Sequence, residues 1–309
     1  MEQKQQSVML EESIDLLDIR PDGIYVDGTL GRGGHSSRIL EKLDTGHLYA
    51  FDLDQQAIDE SRPRLEAISD RFTLIHAPFE TMKEELAKRD ITSVDGIFLD
   101  LGVSSPQFDD PSRGFSYRFD SRLDMRMDQG QDLDAWTIVN TWSPKEIEKI
   151  LRDYGEEPFA GPISRAIAKA REEKPIDTTF ELVDVIKSAL PAKVLSKKGH
   201  PAKRSFQAFR IAVNRELDQL DHVLDDALSL LKPDGRLAIL TFHSLEDRKV
   251  KKAFQAVAKK AKGNRRMPVA MEKEPDYELL NKKAITASEQ ELEANSRSHS
   301  AKLRGIRKK

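Results

Sequence analysis

Three of the four glycines in the stretch "DGTLGRGGHS" (27–36), Gly31, Gly33 and Gly34, crowd together, and the stretch follows a short apolar run and precedes a segment able to start a helix. A glycine-rich turn between strand and helix lets a ligand approach backbone instead of side chain. Such turns serve dinucleotides, nucleoside triphosphates or nucleoside cofactors. The dinucleotide fingerprint needs a third glycine after two further residues, but His35 and Ser36 follow Gly34. The phosphate-cradling loop needs a lysine before Ser or Thr, and none is present. A nucleoside held without a phosphate grip remains. About 20 residues past the first glycine, "FDLD" ends the next apolar run, and Asp52 there can accept both hydroxyls of a ribose. Asp54 lies one step beyond and is the more natural N-cap of the following helix.

A ribose acid without a phosphate grip suits S-adenosylmethionine. Phe79 in "HAPFE" offers an apolar wall for an adenine ring, or an ordinary core aromatic. Beyond the fourth apolar run, "LDLGVSSPQFDD" projects Asp100, Ser104, Ser105 and Gln107 where open parallel sheets bind ligands. Methyl transfer from a sulfonium to an amine is an in-line displacement that needs no metal, and positioning supplies most of its catalysis. Where the acceptor is an exocyclic amino group its lone pair is delocalised into the ring, so acceptors for its hydrogens favour the reactive form. Asp100, the Ser104 and Ser105 hydroxyls and the carbonyls of that turn are the candidates. "SSPQ" is a distant echo of the turn that marks enzymes methylating exocyclic amino groups. In "GFSYRF", Phe115, Tyr117 and Phe119 alternate with Arg113, Arg118 and Arg122, which suits base stacking and phosphate contact or, equally, packing between domains. His200, Arg204 and Arg210 are further candidates for contact with a polyanionic substrate. His243 in "FHSLEDR" either meets substrate or belongs to a hydrogen-bonded junction, with Glu246 and Asp247 capping the next helix.

The elements that must position these residues follow a βαβ rhythm. Strands are expected over 23–29, 47–54, 71–78 and 94–102, with helices near 36–43, 55–68 and 79–88 between them. This predicts a mostly parallel sheet covered by helices on both faces. From 105 to 204 no strand is convincing, but "SPKE" (Ser143, Glu146) and "TTFE" (Thr178, Glu181) are capping boxes. The expectation is a helical domain, 105–204, inserted into a discontinuous α/β domain, 1–104 and 205–309. A long helix over 205–231 ended by "KPDG", a strand over 236–244 and a helix over 245–262 resume the alternation. Two final strands, 283–288 and 300–306, are expected at an antiparallel edge, with an exposed loop over 263–282.

Composition bounds the classes. Hydrophobic residues make up 38% and charged residues 33% of the chain, an ordinary globular balance, and no run is apolar enough for a membrane span. The absence of cysteine removes disulfides and thiolate zinc sites and fits a reducing cytoplasm. No secretory signal is read at the N-terminus. The formal net charge is −3, yet 248–271, 294–309 and the region of Lys197, Lys198, Lys203, Arg204 and Arg210 are basic clusters that together favour a polyanionic partner.

Together with "GIFLDLGVSSPQFDDPSRGFSYRFDSRLDMRMD", "YGEEPFAGPISRAI", "HPAKRSFQAFRIAVNREL", "GRLAILTFHSLEDRKVK" and "NSRSHSAKLR", the opening motifs make the chain resemble the ribosomal RNA small subunit methyltransferase H family along nearly its whole length. The resemblance implies a class I S-adenosylmethionine-dependent, Rossmann-like methyltransferase domain with an all-helical insert that helps hold RNA. The implied reaction is methylation of cytosine N4 in the decoding site of 16S rRNA, within the small ribosomal subunit in the cytoplasm. It assigns cofactor contacts to Gly33, Gly34, His35, Asp52, Phe79, Asp100 and Gln107. If Asp100 serves the cofactor's amino-acid end, it is less available as a base. The chain departs from the family at Gln6, where a histidine is common, and at Lys203, where threonine is. The rival readings are a dehydrogenase on the same sheet, which the missing third glycine disfavours, a DNA or small-molecule amine methyltransferase, and a non-catalytic ribosome-assembly factor.

Overall fold

The computed structural model of the protein describes residues 7–102, 110–259 and 274–309. Ser104, Ser105 and Gln107, and the departure at Gln6, lie outside the described residues. Two compact units emerge: Met1–Gly102 with Asp218–Lys309, and Val103–Leu217.

The first unit is built on a seven-stranded sheet in the order β3-β2-β1-β4-β5-β7-β6. Its strands are β1 (Ile24–Asp27), β2 (His47–Asp52), β3 (Phe72–His76), β4 (Val94–Asp100), β5 (Leu231–Thr241), β6 (Tyr277–Leu279) and β7 (Lys302–Lys308). The first five run parallel, while β7 lies antiparallel to both β5 and β6. The β4 sequence "VDGIFLD" is buried over six successive residues, as a central strand covered on both faces must be. Its side chains alternate between two cores. Ile97 and Leu99 pack with Val26, Ile239 and Leu224 of the helix Glu216–Leu230 on one face. Phe98 packs on the other with Tyr25, Ile14 of the helix Leu10–Leu17 and Ile39 of the helix Gly34–Lys42. Each fully buried side chain of this size contributes about 1.5–3 kcal/mol. The fold is therefore α/β with a mostly parallel sheet. Its strand order reverses between β1 and β4, which opens a crevice at their carboxyl ends.

The second unit is helical among its described residues, apart from an isolated bridge between Arg122 and Thr178. Both expected capping boxes are formed, Ser143 with Glu146 and Thr178 with Glu181. The helices Pro144–Asp153, Ala160–Glu173, Thr179–Ser188 and Lys203–Asn214 enclose a core that includes Leu151, Ile163, Ile186 and Phe209.

Three expectations need correction. The helix expected over 205–231 is two helices, Lys203–Asn214 and Glu216–Leu230, broken at Arg215 in the left-handed region (φ 52°). There Asn214 turns its side chain to the Met125 carbonyl and the Met127 N–H, and neither glycine nor proline announces the break. "KPDG" does not follow the helix but bulges within β5, whose pairing jumps from Val94–Leu231 to Gly96–Arg236. The edge strand is 277–279, inside the expected loop, whereas 283–288 gives only a bridge from Ile285 to Leu303.

Candidate active site

Asp27, Asp52 and Asp100 end β1, β2 and β4, so the parallel register brings three carboxylates to one edge of the sheet. Each does a different task. Asp27 is fully buried and binds the turn that follows it: Oδ2 accepts from Ser36 Oγ at 2.6 Å and Oδ1 from Thr29 N at 3.0 Å. Burial raises its pKa, opposed by the Ser36 hydrogen bond. Asp52 reaches across to the glycine turn, where Oδ2 accepts from Gly31 N at 2.8 Å, while Oδ1 accepts from Asp54 N at 2.8 Å. Each carboxylate oxygen keeps a second lone pair, and that pair is what a vicinal diol requires. Burial raises the Asp52 pKa to about 6, against the pull of its two backbone donors. Asp100 Oδ1 accepts from Gly102 N at 2.9 Å, and Oδ2 lies 4.0 Å from His35 Nδ1. Burial raises its pKa to about 6 as well, opposed by Arg297 and aided by Glu246.

The glycine turn between these acids is shaped by backbone needs. Gly33 caps the helix Gly34–Lys42 with φ 71°, a conformation that side chains resist. Upstream, a Cβ on Gly28 would overlap Leu99 Cδ2 and stand 3.1 Å from Phe79 Cβ, so the chain crosses β4 in direct contact with Phe79. His35, buried behind the turn, rests on Phe98 with ring centroids 4.3 Å apart, and its Nε2 lies 3.1 Å from the Val8 carbonyl. Burial lowers its pKa and favours the neutral ring, opposed by the charge of Asp27. This edge thus offers hydrogen-bond acceptors at Asp52 and Asp100 and an apolar residue at Phe79. The residues fit a nucleoside carrying a cationic or zwitterionic tail.

Residues 2–309 match the model of the MraW methylase family. The chain belongs to that family. It is 53% identical over 304 residues to the ribosomal RNA small subunit methyltransferase H of Exiguobacterium sibiricum, covering 98% of this chain and 97% of the relative. To the protein of that name from Lactobacillus delbrueckii subsp. bulgaricus it is 52% identical over 310 residues, covering 98% of each. Among solved structures, an rRNA methylase from Streptococcus thermophilus aligns over 98% of this chain and 97% of its own, with a TM-score of 0.43 and 12% identity.

In this methylase, Gly33, Gly34, His35, Asp52 and Asp100 gather at one edge of the sheet with Phe79, and Asp54 caps the helix Gln55–Glu66 through Gln56 N. Sequence reasoning missed two residues that fix the turn. Thr29 Oγ1 accepts from Asp100 N at 2.7 Å, stitching the first turn to β4, and Ser61 Oγ donates to Gly31 O at 2.7 Å. Ser61 had a signal, a serine on the buried face shared by Ala57, Ile58 and Leu65. His243 is the N-cap of the helix Ser244–Ala258; its Nδ1 accepts from Glu246 N at 3.5 Å, and Nε2 lies 2.9 Å from Glu246 Oε1. Asp247 pairs with Arg304 of β7 at 2.7 Å. Of the two residues expected to cap this helix, Glu246 closes the capping box and Asp247 is engaged by Arg304 instead.

The RNA candidates of the second unit divide by exposure. Arg113 is 4% exposed and donates through Nη2 to the carbonyls of Arg126 and Met127, and Phe115 is buried in the core. Tyr117 stacks on His200 at 4.1 Å and meets Phe206 edge-on. Arg118 and Phe119 are exposed, as is Arg204, which donates to the Glu156 carbonyl. Arg210 forms a bidentate pair with Glu216, both contacts at 2.8 Å. Among the described residues no helix is long and apolar enough to cross a membrane.

Proposed function

We propose that this methylase transfers a methyl group from S-adenosylmethionine to the exocyclic N4 amino group of a decoding-site cytosine in 16S rRNA, acting on the small ribosomal subunit in the cytoplasm. The observation that carries the proposal is full-length similarity, above half identity, to relatives named for small-subunit rRNA methylation. The bound cofactor supplies an electrophilic methyl on a sulfonium. The chain's residues do the rest. Asp52 accepts the ribose hydroxyls on its free lone pairs, Phe79 covers the adenine, and the Gly33–Gly34 backbone lets the nucleoside lie close. Asp100 Oδ2 attracts the cationic end of the cofactor, and Ser104, Ser105 and Gln107 are the further candidates for contacts to cofactor and base. The nucleophilic nitrogen must approach the methyl carbon on the axis of its bond to sulfur, and holding that line is the main contribution to rate. As the nitrogen becomes tetrahedral, acceptors on the turn after β4 draw its hydrogens away from the ring plane.

The second unit, with the insert placed at 105–204, is the substrate-recognition part of this proposal. Tyr117, Arg118, His200 and Arg204 are its RNA contacts, whereas Arg113 and Phe115 support them from the core. A base must leave its stack to reach the site, which favours an exposed rRNA nucleotide. The test is transfer of label from tritiated S-adenosylmethionine to small subunits lacking the modification, beside naked 16S rRNA, duplex DNA and free amines. Incorporation into subunits or their rRNA alone is expected. Incorporation only into DNA or amines overturns the substrate, and subunit binding without transfer makes the protein an assembly factor.

A further inference from the structure

Residues 7–9, just before the first helix, lie across the glycine turn as a strap. Ser7 packs so tightly on Gly34 that a Cβ there would overlap the Ser7 hydroxyl. Val8 presents its carbonyl to His35 Nε2 at 3.1 Å. Met9, fully buried, caps the helix Leu10–Leu17 in the left-handed region (φ 47°), which directs the two preceding residues over the turn. A methionine holds that conformation only where its surroundings impose it, because it costs on the order of 1–2 kcal/mol. In a capping box the N-cap N–H is taken by a glutamate three residues on, within the same helix. Here Met9 N instead donates to Glu291 Oε1 at 2.7 Å, from a residue 282 positions away. Glu291 is itself fixed, since its helix Glu289–Ala294 is capped by Ser288 Oγ on the Glu291 N–H. The same C-terminal segment carries Arg297, whose charge acts on Asp100.

We infer that Glu291 is a positioning residue for the cofactor turn, acting through the strap formed by Ser7, Val8 and Met9. This inference rests on the reading of the glycine turn as the S-adenosylmethionine site. The Val8 carbonyl can only accept, so it holds His35 as the Nε2–H tautomer and leaves Nδ1, 4.0 Å from Asp100 Oδ2, without a proton. Without Glu291 the Met9 N–H loses its partner, Met9 relaxes toward a common backbone conformation, and the carbonyl leaves His35. The turn then loses its cover at Gly34 and its buried histidine loses its orientation.

The test compares Glu291→Ala and Glu291→Gln with the wild type by calorimetric titration of S-adenosylmethionine and by two-bond 1H–15N spectra of the His35 ring. Glu291→Ala is expected to weaken cofactor binding about tenfold or more, the usual consequence of removing an acceptor from a buried donor. It is also expected to abolish the Nε2–H signature and to raise the cofactor KM more than it lowers kcat. Glu291→Gln keeps an oxygen acceptor and should restore most of the affinity. Affinity and tautomer unchanged in Glu291→Ala, even with a lowered Tm, would overturn the inference by leaving Glu291 a purely structural role. Equal loss in the Gln variant would overturn it too. A wild type that binds no S-adenosylmethionine would sink the cofactor reading itself, a distinct outcome.

Discussion

Protonating Asp52 should compete directly with cofactor. Its two oxygens already accept from Gly31 N and Asp54 N, so a proton and a ribose hydroxyl contend for the same remaining lone pairs. With the pKa at about 6, close to nine-tenths of Asp52 is ionised at pH 7 and about one-tenth at pH 5. Affinity for S-adenosylmethionine through Asp52 alone should therefore fall about tenfold between those values. Asp100, also at about 6, adds a second factor of similar size through its attraction for the cofactor's cationic end. The wild type should lose up to about a hundredfold between pH 7 and 5, and Asp52→Asn, weaker at neutral pH, only about tenfold. Stability of the free protein should move oppositely. Both acids sit above their ordinary 3.8 when folded, so the native state holds more protons than the unfolded chain between 3.8 and about 6. Their contribution to stability thus declines as pH rises through that window and reaches its minimum above it. Calorimetric titrations from pH 5 to 8 read the first effect and urea melts of the free protein the second. Binding that is flat from pH 5 to 7, or an Asp52→Asn profile as steep as the wild type's, would refute the assignment.

Further perturbations separate site from scaffold. Gly28→Ala forces a methyl into Leu99 and toward Phe79, so it should cost about 1–3 kcal/mol in urea melts and weaken cofactor binding; an unaltered midpoint would contradict the packing described. Arg113→Ala should lower stability by several kcal/mol, because its buried guanidinium serves two carbonyls, whereas Arg118→Ala should leave Tm unchanged and weaken rRNA binding in filter assays. The reverse pattern would move the RNA surface. His243→Asn retains an N-cap acceptor and should keep both stability and turnover, while His243→Ala should lose about 1 kcal/mol; a drop in rRNA affinity in the Asn variant would assign His243 to substrate.

Much of the site was legible because its signals are local. Strand ends, glycine spacing and the missing phosphate lysine lead to Asp52, Gly33 and a nucleoside ligand, and the capping boxes at Ser143 and Thr178 mark helix starts outright. What stayed hidden is held by long-range contacts. Nothing near Arg215 forecasts a left-handed break, since Asn214 is captured by the carbonyl of Met125, 89 residues away in sequence. Arg113 shared a basic-aromatic pattern with Arg118, and only packing turned one inward. Thr29 and Glu291 act on partners from distant segments, where periodicity carries no information.

The most direct test of the central claim is mass spectrometry of nucleosides from small subunits that lack the modification, after incubation with the purified protein and S-adenosylmethionine, for the wild type and Asp52→Ala. The account predicts N4-methylcytidine, mapped to one decoding-site cytosine, from the wild type and none from the variant. A methyl group on another atom or another nucleotide, or the same product at the same rate from Asp52→Ala, would contradict it.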